Sequence, residues 1–282
     1  TLKKDHPSLK IMAYDHNKDH IAQWVKELSS NEQCMKYLSG MAFHWYLNGP
    51  GCSIGTGDCM EEGATNLITA HELLTNTSNP GNASSSSTSA ISEPFLLATE
   101  SCNCPGIADD TPSHDEMIGK GWERGERLMS DAISDMNHYS IGYVDWNLLV
   151  NYRGGPNHLG NYCDANIVAD PNLILNRNNI SGAGQPVVLR PSYYMLGHVA
   201  RFAPRGSIRI HSSFSVVGND DNERELISNF IDVVAFQMKN GSTSVVILNR
   251  GEQTVEYTLR DKLTGREVDL EAVPHSAQSL IF

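Results

Sequence analysis

The stretch Phe95–Glu100, FLLATE, places four apolar residues in a row and closes them with a carboxylate. It is too short for a helix and reads as a buried strand whose last residue faces chemistry rather than core. Upstream, residues 40–46 (GMAFHWY) repeat the form and end in His44, Trp45 and Tyr46. Residues 8–16 (SLKIMAYDH) end in Asp15 and His16, and downstream residues 141–147 (IGYVDWN) end in Asp145, Trp146 and Asn147. Helical patterns lie between these runs. Ile21, Trp24, Val25 and Leu28 recur at i, i+3, i+4 and i+7, and Asn31 predicts an N-cap for a short helix with Cys34, Met35 and Leu38 inward. Residues 60–74 and 122–138 also read as helices, the latter with Leu128, Met129, Ala132, Ile133 and Met136 on one side. Strand and helix in alternation imply an α/β fold with a parallel sheet. Four successive strands that all end in ionisable or aromatic groups fit a (β/α)8 barrel, whose strand C-termini converge on one face.

A further helix is expected at 190–202, with Pro191 near its first position and Tyr194, Leu196 and Val199 apolar. Beyond about Ser207 the texture changes to short alternating strands at 207–216, 231–238, 243–249, 254–260 and 275–282, separated by Gly, Asn and Asp turns. The expected organisation is a barrel-type region over 1–206 and an all-β module over 207–282, with the junction near Gly206.

The tract 75–92, TNTSNPGNASSSSTSAIS, lacks the apolar surface needed to offset ordering and reads as a flexible surface insertion. Asn76, Asn82, Asn179 and Asn240 head Asn-x-Ser/Thr triplets and are glycosylation candidates, which favours the secretory pathway. The six cysteines are too few for a disulfide-built scaffold of 282 residues. Cys102-x-Cys104 has the wrong spacing for a zinc site, so no metal is expected there; thiols in a loop, or one disulfide to Cys52 or Cys59, suffice. A formal charge of −12 repels phosphate backbones and argues against nucleic acid as a partner. No apolar run reaches the roughly 20 residues of a membrane span. The chain opens on Thr1 without a basic-then-apolar leader.

Aromatic faces and carboxylates are what sugar rings stack on and hydrogen-bond to, so the four strand ends suggest a carbohydrate site. Glycosidases generally need two carboxyl groups, one donating a proton to the leaving oxygen and one attacking the anomeric carbon or activating water. Glu100 is the obvious first, with Tyr46 placed to donate a hydrogen bond to it. Each group also has a plainer reading: a strand-end acid caps a helix, and His44 is a satisfied core histidine.

FLLATESC around Glu100, AFHWY at 42–46, GYVDWNLLVNYRGGPNHLGNYCDANIVAD at 142–170 and YYMLGHVARFAPRGS at 193–207 together resemble glycoside hydrolase family 30, nearest its lysosomal glucosylceramidases. VVILNR at 245–250 and the final AVPHSAQSLIF resemble that family's β-sandwich. The resemblance spans nearly the whole chain apart from the Ser/Thr-rich tract and parts of 211–230. It implies the second half of a (β/α)8 TIM barrel followed by a β-sandwich. It further implies a retaining β-glucosidase that cleaves glucosylceramide in sphingolipid catabolism, lysosomal or secreted, without a cofactor. Residue by residue it places the nucleophile at Glu100, the tyrosine beside it at Tyr46 with His44 nearby, the glucose-packing tryptophan at Trp146 and a sugar-contacting asparagine at Asn161. Asp145 is then a supporting acid and Arg124 a partner for it or for another site carboxylate, or the two form an ion pair without chemical role. Cys102 lies on the rim.

The family's acid/base is a glutamate in an Asn-Glu pair ending the fourth barrel strand, and the chain opens at what resembles the fifth. Glu93 stands in Ser92-Glu93-Pro94 without the asparagine and reads as a loop acid. The expectation is therefore a fragment, inactive alone, whose partners are the N-terminal half of the barrel, a β-glucoside such as glucosylceramide, and by resemblance an activator protein and an anionic membrane surface. Attraction to such a surface needs acidic conditions that protonate the 11 histidines and some carboxylates. Two other readings compete: a non-catalytic sugar- or lipid-binding remnant, and a family-related β-1,6-glucanase or xylanase.

Overall fold

The computed structural model describes residues 2–47, 57–78, 94–103, 121–151, 154–157, 160, 163–169, 187–217 and 227–282. They form two compact units: Thr1–Cys102 with Ser134–Trp146, and Asn103–Ile133 with Asn147–Phe282.

The first unit is built on a parallel sheet in the order β1 (Met12–Asn17), β2 (Gly40–His44), β3 (Phe95–Glu100), β4 (Ser140–Tyr143). Sequential order with parallel pairing requires a crossover between each pair. Helix α1 (Ile21–Ser29) follows β1, α2 (Gly57–Ser78) follows β2, and the last turn of α3 (Gly121–Asn137), whose residues up to Ile133 belong to the second unit, leads into β4. This is the strand–helix arc of a TIM barrel, as the strand ends implied. Met41, Ala42 and Phe43 are all buried, so β2 is covered on both faces, which is why its sequence is an unbroken apolar run rather than an alternation. The core joins Met41 and Phe43 to Leu96 and Ala98 of β3, Ile21 and Val25 of α1, and Leu67, Ala70 and Leu74 of α2. Each large aliphatic or aromatic side chain buried there stabilises the fold by roughly 1.5–3 kcal/mol. Gly40 is required by close approach: a Cβ at that position would meet the Phe95 carbonyl oxygen at 2.3 Å. Asn31 caps the short helix Glu32–Met35, its Oδ1 accepting from the backbone N–H groups of Gln33 and Cys34 at 3.0 and 3.2 Å. A buried ion pair joins Lys18 Nζ to Asp135 Oδ1 at 2.9 Å.

The second unit holds a small sheet, β5 (Leu149–Asn151), β6 (Ile167–Ala169) and β7 (Val187–Leu189), then α4 (Pro191–Phe202) with Pro191 at its start. Its all-β part contains β8 (Ile208–Ile210), β9 (Ile231–Gln237), β10 (Thr243–Asn249), β11 (Val255–Arg260), β12 (Glu267–Ala272) and β13 (Ser276–Ile281). One sheet runs β13-β10-β9-β8 and β11 pairs with β12, all antiparallel. Ala235, Val245 and Ile247 pack with Val233, Tyr257, Leu259 and Leu280 between them, the β-sandwich core. Asn249 is buried at the end of β10. Its Nδ2 donates to the carbonyls of Gln253, Ala272 and Val273 at 2.9, 2.9 and 3.0 Å, and its Oδ1 accepts from Gly251 N–H at 2.9 Å.

Several expectations shift. Trp24, counted with the inward stripe of α1, is 50% exposed and tilts against Tyr14 at 5.6 Å instead. Tyr194 is likewise exposed on α4, where Met195 and Val199 are buried. The helix after β2 continues through Ser78, so residues 75–78 of the Ser/Thr-rich tract, Asn76 among them, are helical rather than part of a flexible insertion. The rest of that tract, Asn82 within it, and Asn179 lie outside the described residues. Asn240 occupies the exposed turn between β9 and β10, its Oδ1 accepting from Ser242 N–H and Oγ at 3.1 and 2.6 Å.

Candidate functional site

The C-terminal ends of β1 to β4 bring Asp15, His44, Glu100 and Asp145 to one end of the first unit's sheet. Each arrives through a defined backbone contact. Trp45 N–H donates to the Glu100 carbonyl at 3.0 Å and Trp146 N–H to the Ser101 carbonyl at 2.9 Å, extending the pairing past the last strand residues. Trp45 is buried, so the segment carrying Tyr46 is anchored on both sides of the chain.

The Glu100 side chain is 28% exposed, open enough to react and covered enough to be held. His44 stands beside it, Nδ1 3.7 Å from Glu100 Oε1, and its Nε2 meets Asp15 Oδ1 at 3.2 Å. Thr99 Oγ1 donates to the same Asp15 oxygen at 2.7 Å. The Tyr46 ring lies edge-on to those of His44 and Trp45, 6.3 and 6.0 Å away. Its hydroxyl is buried without a partner of standard hydrogen-bond geometry among the described residues. Burial first, then the Cys102 thiol and the Glu100 carboxylate nearby, hold the Tyr46 phenol well above its ordinary pKa. It therefore stays protonated and presents a donor toward Glu100.

Asp145 Oδ1 accepts from Ser101 Oγ at 3.3 Å and from Trp146 N–H at 3.1 Å, which fixes the backbone from which Trp146 projects with 46% of its surface exposed. An exposed indole beside a partly covered carboxylate offers a stacking face for a sugar ring. Tyr14 and Asp15 both have positive φ, 85° and 55°. For a residue other than glycine such a backbone costs on the order of 1–3 kcal/mol and persists where the surroundings enforce it.

The structure thus brings Glu100, His44, Tyr46, Asp145 and Trp146 into one unit. Arg124 belongs to the other, where its Nη1 meets Asp164 Oδ2 at 3.2 Å in a pair that Arg190 joins at 3.0 Å. Asn161 lies outside the described residues. Cys102 is a buried thiol and Cys163 is disulfide-bonded. Asp15 and Thr99 are the residues that sequence reasoning left without a role. Asp15 counted as one of the four strand ends, and Thr99 carried no signal beyond standing next to Glu100. Among the described residues no group of three or more His, Cys, Asp or Glu side chains is arranged to hold a metal ion, and no helix is long and apolar enough to cross a membrane.

Sequence profiles of the glycosyl hydrolase family 30 TIM-barrel domain and of the glycosyl hydrolase family 30 beta sandwich domain match residues 65–203 and 206–280. The chain is 27% identical over 275 residues to putative glucosylceramidase 3 of Caenorhabditis elegans, covering 98% of this chain and 42% of that protein. To the lysosomal acid glucosylceramidase of Mus musculus it is 25% identical over 254 residues, covering 90% of this chain and 39% of the other. The chain spans about two fifths of the length of these relatives. Among solved structures, SrfJ from Salmonella typhimurium superposes with a TM-score of 0.70 at 24% identity, over 99% of this chain and 48% of SrfJ, a likeness of fold.

Proposed function

Because the chain belongs to glycosyl hydrolase family 30, we propose that it carries the nucleophile-bearing part of a retaining β-glucosidase acting on glucosylceramide. Glu100 is the nucleophile. One of its oxygens attacks the anomeric carbon while the glycosidic oxygen leaves with a proton from a carboxylic acid; the resulting glucosyl ester is opened by water, which that carboxylate deprotonates. The reading assigns the proton donor to a segment outside these 282 residues, about 5–5.5 Å from Glu100 as retention requires. Tyr46 donates to the Glu100 carboxylate, Trp146 stacks on the glucose, and Asn161 contacts a sugar hydroxyl. Asp145 supports the Trp146 backbone.

The observation that carries this reading is the placement of Glu100: a partly exposed carboxylate at a parallel strand end, faced by His44 and by a phenol held protonated. A likeness to a lysosomal relative supports a lysosomal or secreted site of action, and a charge of −12 supports an anionic membrane surface as partner only under acidic conditions. An activator protein belongs to the same reading. The two matched profiles meet between residues 203 and 206, which supports a domain junction near Gly206.

The test is covalent. A cyclophellitol-type epoxide should esterify Glu100 of the complete enzyme, read by peptide mass mapping, and glucosylceramide should be hydrolysed in preference to β-1,6-glucan or xylan. Reversible sugar retention with Glu100 unmodified would instead assign a binding role.

A further inference from the structure

We propose that Asp15 is a positioning residue that sets the tautomer and orientation of His44 and, through His44, the placement of the Glu100 carboxylate. The geometry stands by itself; its kinetic consequence rests on the glycosidase reading above.

The strand registers carry the argument. Between β1 and β2, Tyr14 pairs with Ala42 and His16 with Phe43, so Asp15 is an extra residue without a partner across the ladder. Between β2 and β3, Phe43 pairs with Ala98 and His44 with Glu100, which makes Thr99 the extra residue on the other side. A β-bulge re-aims one side chain out of the alternating pattern. Here two bulges flank the same point of β2, and the residues they insert bond to each other: Thr99 Oγ1 donates to Asp15 Oδ1 at 2.7 Å, with the Phe43 carbonyl within its reach at 3.1 Å. His44 is the β2 side chain beside that bond.

An ionised carboxylate only accepts, so the 3.2 Å contact with Asp15 assigns a proton to His44 Nε2. Nδ1 is then the ring atom presented to Glu100 Oε1, 3.7 Å away, beyond hydrogen-bond length. The ring plane is fixed by Asp15, and its Nδ1 edge limits how far the Glu100 carboxylate can turn, while the attacking lone pair of that carboxylate is left unengaged by an Nδ1–H. The Asp15 side chain is 68% exposed, so packing does not hold it in place. What holds it is the bulge, the left-handed backbone of Tyr14 and Asp15, and the Thr99 hydroxyl.

Two measurements test the assignment. In ¹⁵N-labelled protein, the neutral His44 imidazole should carry its proton on Nε2, and Asp15→Ala should shift it toward Nδ1; an unchanged tautomer in a folded Asp15→Ala protein overturns the proposal. In the complete enzyme, Asp15→Ala should lower kcat and the rate of Glu100 labelling by about 10- to 100-fold, with KM changed less than about threefold. Asp15→Asn, whose amide oxygen still accepts from Nε2–H, should recover most of that loss. Adding Asp15→Ala to His44→Ala should cost nothing further, because one acts through the other; additive losses, or Asp15→Ala at wild-type rate, overturn the proposal. Should Asp15→Ala not fold, Thr99→Ala tests the same link, with an expected loss of about three- to tenfold. If no form of the enzyme, wild type included, labels at Glu100, the glycosidase reading fails while the tautomer measurement still decides the role of Asp15.

Discussion

Strands β2 and β10 are each paired on both sides, and they differ in how regular that pairing is. Along β10 every residue from Thr243 to Asn249 has a partner on β9, and Ser244 to Asn249 pair in unbroken order with β13. Along β2 the register slips once on each side, and the slips sit at its C-terminal end beside His44 and Glu100. The same backbone chemistry serves two ends. An unbroken ladder maximises hydrogen bonds and burial and produces stability; a bulged one surrenders regularity to aim side chains that a two-residue alternation would point elsewhere.

The contrast can be broken by substitution. Glu100→Gln should lower the turnover of the complete enzyme by at least about 10³-fold, measured on a fluorogenic β-glucoside, while its urea midpoint stays close to wild type. Comparable activity in that variant would remove the site from β3. Lys18→Ala, directly after β1 in the first unit, removes the cation of the buried pair with Asp135. It should cost about 3–5 kcal/mol in chemical denaturation, most of it recovered when Asp135 is also made apolar. Leu248→Ala, inside the regular ladder, should cost about 2–5 kcal/mol and leave kcat of the folded enzyme unchanged. If it changed kcat with stability intact, the division between a stability sheet and a site sheet would be wrong.

The smallest effect concerns pH. His275 Nδ1 contacts Glu126 Oε1 at 3.0 Å and its Nε2 contacts Glu252 Oε1 at 3.2 Å, while Trp122 Nε1 donates to Glu126 Oε1 at 3.0 Å. Hydrogen bonds to Glu126 and Glu252 raise the His275 pKa above its ordinary 6.5, and burial raises that of Glu126 above 4.5. A raised pKa in the folded state contributes stability that is complete below the unfolded value and lost as pH rises through the folded one. The urea midpoint should therefore decline as pH rises above about 6.5, and His275→Gln should flatten that decline. The imidazole is well exposed and solvent screens it, so the change should be the slightest of the four. A steeper decline in the variant would reverse the sign of the argument.

Much of this was readable in the residues. Apolar runs closed by polar groups marked β1 to β4 within a few positions, and the Asn31 cap and the inward face of α3 followed from spacing alone. What escaped has physical causes. Both bulges lie where no glycine advertises a positive φ, so the pairing of Asp15 with Thr99 had no local signal. Strand β12, EVDLEA, does alternate acids with Val268, Leu270 and Ala272, but with two of those three small or β-branched and six residues in all its apolar signal is faint beside the neighbouring runs. Strands β5 to β7 are three residues each, below the length at which alternation means anything. Trp24 and Tyr194 fit their helical stripes by spacing, yet spacing says nothing of what lies opposite.

Asn249 shows how finely chemistry, rather than shape, holds the second unit. Its amide acts as a spare peptide group, filling acceptor sites on three carbonyls while taking one backbone proton. An aspartate has nearly the same outline and would occupy the same space, but it would turn oxygen toward those carbonyls where nitrogen now donates. Exchange of this one amide for a carboxylate, Asn249→Asp, is therefore a change of a single mass unit that packing would not register and that unfastens β10 from the turn between β12 and β13.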